Sequence, residues 1–175
     1  MTNLTSSARG TWAEASARLG RNDMPAALIH AVSDEFITDP SEIAKGIRDA
    51  WTMAEWPTQA ADDELWMAMF DAALGPDEYL REAAPAPVAE LPEVVTLWRG
   101  ATEEHALGMS WTDDRERALW FATRFSRMRG SSAGDLYQAD IHRGVVLARF
   151  HESRGENEWV IDIGRVDPCE IEIVG

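Results

Sequence analysis

A proline-rich segment near the middle of the chain separates two halves that differ in hydrophobic periodicity. Residues 83–92 contain three prolines. Proline fixes φ and lacks a backbone N–H, so this spacing disfavours both helices and strand ladders and predicts a stiff, extended connector. The chain of 175 residues is long enough for one domain with a helical appendage. We therefore expect a helical N-terminal region over residues 1–85, a connector over 86–92 and a second domain over 93–175.

The first half carries helical signals. Asp39–Glu42 combines a capping aspartate, a proline at the first helical position and a glutamate at the third, which is typical of a helix N-terminus. A second helix is predicted to begin near Asp62 and to end at Gly75. A further helix is expected from Met24 to Phe36.

The second half carries strand signals interrupted by one helix. The predicted strands are Val94–Arg99, Leu136–Ile141, Val145–Phe150, Trp159–Ile163 and Cys169–Val174. In the last of these, apolar residues alternate with glutamates, which predicts one buried face. The helix is expected to begin at Asp113–Glu116, a capping-box pattern, with Thr112 or Asp113 as the cap. The fold class is therefore predicted to be α+β.

Composition and charge argue against several classes of function. The chain has 31 acidic and 16 basic residues and a formal charge of −15, which disfavours binding to nucleic acid or to anionic membranes. A single cysteine excludes an internal disulfide, and the four histidines show no metal-ligand spacing, so we expect no metal. No apolar run is long enough to span a membrane and the N-terminus has no secretory pattern, so a cytoplasmic protein is expected.

Three short segments of the second half hold residues suited to chemistry. Arg99 ends a strand and precedes Gly100, so a planar guanidinium that suits phosphate lies beside a glycine that lets a ligand approach the backbone. Ser110–Thr112 places two hydroxyls around an aromatic ring. Glu156 and Glu158 are two residues apart at the entrance of a strand, so they share a face and repel each other unless solvated or bound to a ligand.

Each segment alone is more typical of a structural role. The order of the three segments along the chain, taken together, favours a functional role. An arginine strand, a serine strand followed by a helix, and a late Glu-x-Glu strand resemble the ADP-ribosyltransferase family, in its arginine–serine–glutamate class. The resemblance spans about Val94 to Val174 and includes Ala118, Phe121 and Ala122. The helical first half is similar to the region that precedes such domains in small bacterial and phage proteins. The resemblance implies a split β-sheet domain that binds NAD as a co-substrate.

The resemblance also implies roles for individual residues. Glu158 corresponds to the catalytic glutamate that hydrogen-bonds the nicotinamide ribose, and Glu156 to the residue that selects or deprotonates the acceptor. Phe150–Gly155 corresponds to the loop that meets the target. The implied NAD contacts are Arg99 (to phosphate and ribose), Gly100, Ser110, Trp111, Thr112 and Phe121. The family often has Ser-Thr-Ser at the serine strand, so the ring of Trp111 either stacks on nicotinamide or fills the core.

The activity implied is mono-ADP-ribosyl transfer from NAD to a macromolecular acceptor, which Glu-x-Glu in this family implies to be a protein. A carboxylate near the ribose would stabilise the positive charge that develops as nicotinamide leaves. Two alternatives remain open: an NAD glycohydrolase of the same fold, and a non-catalytic phage-type inhibitor or binding protein. Because NAD is anionic and the chain is acidic, a local positive pocket is needed, for which Arg99, Arg149 and Arg154 are the candidates. The sequence indicates no oligomeric state.

Overall fold

The computed structural model describes residues 10–129, 134–151 and 157–174. The chain divides into two compact units, residues 1–74 and residues 75–175. The proline pattern places the boundary at residue 85, whereas the structural division falls after Leu74, because part of the proline-rich segment belongs to the sheet of the second unit. In the described ranges, no helix combines the length and the apolar character that crossing a membrane requires.

The first unit is helical, as predicted. Its described α-helices are α1 (Trp12–Ser16), α2 (Met24–Ser33), α3 (Pro40–Met53), α4 (Pro57–Ala60) and α5 (Asp63–Ala73). The predicted Asp39 cap is present, since its side chain accepts a hydrogen bond from the Ser41 amide. The helix predicted to begin near Asp62 is capped by that residue, whose side chain accepts a hydrogen bond from the Leu65 amide. These bonds satisfy amides that a helix leaves without intrahelical partners, so the two helices begin where the sequence indicates.

Aromatic rings from α3 and α5 form the core of the first unit. The Trp51 and Trp66 rings meet edge to face with centroids 4.8 Å apart, and the Phe70 ring lies 6.2 Å from Trp51. All three side chains are buried. Edge-to-face packing favours such pairs beyond their area burial, so the apolar stripes of the two helices hold this unit together.

The second unit is built on a mixed sheet, so the α+β prediction is confirmed. Its described strands are β1 (Glu78–Arg81), β2 (Ala84–Pro87), β3 (Val94–Ala101), β4 (Ser110–Thr112), β5 (Asp135–His142), β6 (Val146–Phe150), β7 (Glu158–Ile161) and β8 (Glu172–Ile173). They lie in the order β2-β1-β6-β7-β4-β3-β5-β8. β1 pairs with β6 in parallel, and the other neighbours are antiparallel. Helix α6 (Arg115–Arg129) follows β4.

Strand β2 differs from the sequence expectation, because two prolines lie within a strand ladder. Pro85 is opposite Leu80 and Pro87 is opposite Glu78 in the antiparallel pairing with β1. β2 stands at one end of the strand order. An edge strand needs ladder hydrogen bonds on one side only, so proline is tolerated there.

The C-terminal strand is much shorter than predicted. Within Cys169–Val174 only Glu172–Ile173 pairs with β5, and Pro168–Glu170 forms a 3-10 turn. Cys169 is exposed and Ile173 keeps 65% of its surface exposed, so the predicted buried face is wrong. β8 is the other edge strand of the sheet. Alternation of apolar and charged residues in a sequence does not show whether another element packs over an edge strand.

Helix α6 packs closely on β3 at Gly100. A Cβ atom at Gly100 would lie 1.8 Å from the carbonyl oxygen of Ala118 and 2.5 Å from the amide nitrogen of Ala122. Ala118 and Ala122 are themselves buried. The close approach that the sequence assigns to a ligand at Gly100 is therefore made by the helix backbone, which only glycine admits at this distance.

We expect Gly100→Ala to destabilise the second unit by about 1–3 kcal/mol, or more because the clash is with backbone atoms. Gly164→Ala is the matched control, since its nearest neighbour, an oxygen of Asp162, would be 3.4 Å from the new Cβ. Denaturant unfolding of both variants measures the difference. Equal stability of the two variants would contradict the proposed packing constraint.

Candidate functional site

Three neighbouring strands carry the residues that the sequence singles out. β4 lies between β3 and β7 in the sheet. Trp98 of β3 pairs with Thr112 of β4, and Thr112 pairs on its other side with Glu158 of β7. The arginine, serine and glutamate segments, which are distant in sequence, are therefore adjacent in space.

Ser110 and Glu158 are joined by a direct hydrogen bond. The Ser110 hydroxyl donates to the Glu158 carboxylate, with 2.5 Å between Oγ and Oε1, and both residues are partly exposed. Ser110 lies opposite Val160 and Thr112 lies opposite Glu158, so the bonded pair is diagonal on one face of the sheet. A carboxylate held in this way is able to stabilise a positive charge that develops beside it.

Arg99 is linked to the same pair through the backbone. Its Nη1 donates to the Ser110 carbonyl oxygen at 2.5 Å, and its Nε and Nη2 donate to the His105 carbonyl oxygen at 3.1 and 3.0 Å. Arg99 follows Trp98, so its side chain leaves the strand on the face opposite to Glu158. In this arrangement the guanidinium holds the segment from His105 to Ser110 against β3.

Gly108 is a functional candidate that sequence reasoning missed. A Cβ atom at Gly108 would lie 2.4 Å from Nη2 and 2.7 Å from Cζ of Arg99. The Gly108 carbonyl oxygen also accepts a hydrogen bond from the indole nitrogen of Trp111 at 2.8 Å. A glycine just before a strand often marks a place where another group lies close to the backbone. At Gly108, two residues before Ser110, that group is the Arg99 guanidinium.

Trp111 lies in the core of the second unit. Its side chain is only 2% exposed and it pairs with Trp159 across β4 and β7. Both rings belong to one cluster of buried apolar residues. Of the two roles that the sequence leaves open for this ring, the structure therefore places it in the core, on the face away from Glu158.

The side chains of Thr112 and Asp114 bind backbone amides at and just before the start of helix α6. The Thr112 hydroxyl oxygen accepts a hydrogen bond from the Asp114 amide at 3.1 Å. The Asp114 carboxylate accepts bonds from the amides of Glu116 and Arg117 at 3.0 and 3.1 Å. The capping residue is therefore Asp114, and the prediction of Thr112 or Asp113 as the cap is wrong. The Thr112 hydroxyl is buried beside Glu158 and serves the start of the helix.

The remaining predicted residues lie around this centre or outside the described residues. Phe121 is half-buried on α6, with its ring centroid 4.9 Å from that of Trp120. Arg149 lies over the Trp159 ring, with 4.7 Å from Cζ to the centroid, and its Nη2 is 3.7 Å from the Asp113 carboxylate. Glu156, Arg154 and most of the expected target loop lie outside the described residues.

No group of acidic, histidine or cysteine side chains suited to a metal is found in the described part of the chain.

The positive charge of Arg99 is one of the groups that affect the pKa of the Tyr137 hydroxyl. The two residues are opposite each other on β5 and β3. Burial raises the pKa of the Tyr137 hydroxyl above its ordinary value of 10.0, the carboxylates of Asp135 and Glu103 raise the pKa further, and Arg99 acts in the opposite sense. Because the fold favours the neutral phenol, its contribution to stability is present below pH 10.0 and is lost as the pH rises through the raised pKa.

We expect Arg99→Gln to raise the pKa of Tyr137 still further, because a nearby positive charge favours the phenolate and the substitution removes it. Tyrosinate absorbance during alkaline titration measures this pKa. The chain has two tyrosines, so Tyr79→Phe as the background in both proteins isolates Tyr137. A lower or unchanged pKa in the Arg99→Gln protein would contradict the contact.

Comparison with known proteins identifies no relative. No protein-family model, no curated protein and no solved structure matches this chain. Function is therefore inferred from the residues and from their geometry.

Proposed function

We propose that this chain is a mono-ADP-ribosyltransferase that transfers ADP-ribose from NAD to a macromolecular acceptor, expected to be a protein. The observation that carries the proposal is the position of Ser110, whose hydroxyl binds Glu158 and whose carbonyl oxygen binds Arg99. The three residue types of the resemblance thus form one hydrogen-bonded chain. The mixed sheet with β4 between β3 and β7 is consistent with the split β-sheet fold, which is part of the proposal.

Glu158 supplies the electrostatic part of the mechanism. In NAD, nicotinamide is a pyridinium leaving group on the anomeric carbon of a ribose. As the carbon–nitrogen bond breaks, positive charge develops on the ribose, and a carboxylate fixed beside it lowers the energy of that transition state. Nicotinamide leaves neutral and needs no general acid. Ser110 fixes the orientation of the carboxylate before the substrate binds, which reduces reorganisation during the reaction.

Arg99 has a positioning role in this mechanism. Its guanidinium holds the backbone of Ser110 and His105, so it fixes the strand that in turn orients Glu158. Direct contact of Arg99 with a phosphate, which the resemblance implies, remains a prediction. The acceptor-side role of Glu156 likewise remains a prediction.

We expect Glu158→Gln to lower nicotinamide release from NAD by about 100-fold or more, because it removes the stabilising charge with little change of shape. NAD affinity, measured by calorimetry, is expected to change little. Glu172→Gln on the exposed edge strand β8 is the matched control and should retain full activity. A Glu158→Gln protein with normal turnover would eliminate the mechanism.

The acceptor is identified by running the same assay with and without a cell lysate. Release of nicotinamide that needs lysate, with the ADP-ribose label moving onto a macromolecule, would support the transferase. Release without lysate and without labelling would indicate the NAD glycohydrolase instead. Absence of release and of NAD binding would favour the binding-protein alternative.

We expect Gly108→Ala to lower kcat by about 10- to 100-fold with little change in KM, because the new methyl group displaces the Arg99 guanidinium and shifts Ser110. Gly164→Ala again provides the control. A large rise in KM at unchanged kcat would instead indicate that Arg99 binds NAD directly. Unchanged values of both would show that Arg99 does not act through this segment.

A further inference from the structure

Positive charge is concentrated on one helix of an otherwise acidic chain. Helix α6 carries five arginines and one glutamate, whereas the whole chain has 16 basic residues and a formal charge of −15. Screening shortens the reach of charges to about 8 Å at physiological ionic strength. The arginines of α6 therefore act mainly on a partner that approaches the helix closely.

The two sides of α6 differ sharply in exposure. Its inner side packs through Ala118 and Ala122, which are 1% and 2% exposed. On its outer side Trp120 is 45% exposed and Leu119 is 40% exposed. Large exposed apolar side chains next to cations are typical of an interaction surface. Because Gly100 lets the helix backbone lie directly on β3, the inner side of α6 is covered by the sheet.

Two arginines are arranged around the exposed indole. The Cζ atoms of Arg117 and Arg124 each lie 4.9 Å from the centroid of the Trp120 ring, and Arg117 also lies 5.3 Å from that of Phe121. Cation–π contact orders long side chains that would otherwise lose entropy on binding. We call Arg117, Leu119, Trp120 and Arg124 the α6 outer surface.

We infer that the α6 outer surface binds an acidic segment of a partner protein. Carboxylates pair with guanidinium groups that already lie along the indole, and the exposed Leu119 and Trp120 side chains receive an apolar residue of the same segment. A nucleic-acid base fits less well, because it needs the ring face, over which Arg117 and Arg124 already lie. The inference does not rest on the proposed activity, because the contact involves neither Ser110 nor Glu158 and is measured without NAD.

The test uses the full chain and two fluorescent probes of equal negative charge. One is a synthetic peptide of alternating glutamate and leucine, and the other is an oligothymidylate. We expect anisotropy to show binding of the peptide that weakens with added salt. Trp120→Ala and the charge reversal Arg124→Glu should each lower peptide affinity about tenfold or more.

Trp56→Ala is the matched control, because Trp56 in the helical unit is 47% exposed, close to the value for Trp120. It should leave peptide affinity unchanged. Peptide affinity that is undetectable, or that is the same in the unaltered protein and in both α6 variants, would overturn the inference. Tighter binding of the oligothymidylate than of the peptide would also overturn it and would assign the surface to nucleic acid.

Discussion

The register of the short strand β4 is the constraint on which the candidate site depends. β4 has only three residues, and Trp111 at its centre is buried opposite Trp159. A slip of one residue would turn this indole out of the core and move the flanking hydroxyls to the other face. Burial of one large aromatic side chain therefore places the Ser110 hydroxyl on the same face as Glu158.

Core residues and candidate site residues alternate along β4 and β7. Trp111 and Trp159 fill the core on one face, whereas Ser110 and Glu158 lie on the other and remain partly exposed. Each functional residue is the direct neighbour of a core residue along its strand. Because side chains alternate along a strand, packing of the tryptophans orients the serine and the glutamate without using either of them in the core.

Local signals predicted much of the fold. Asp39 caps a helix as expected, and a second helix begins beside Asp62 as expected, because a helix start depends on residues a few positions apart. The β-forming residues that follow Val94 likewise predict the strand that begins there. Among the strand predictions, the failures lie at the edges of the sheet. Pro85 pairs in a strand and Ile173 is exposed, because the presence or absence of a neighbouring element decides both outcomes.

The sequence by itself determined the helical and strand halves, the acidic charge and the residue types available for chemistry. Only the tertiary structure decided which of those residues meet. Ser110 and Glu158 are 48 positions apart, Gly100 faces a helix and Gly108 faces a guanidinium. The physical reason is that periodicity and capping report interactions within a few residues, whereas strand order brings distant segments together at the cost of chain entropy, and no local pattern records that pairing.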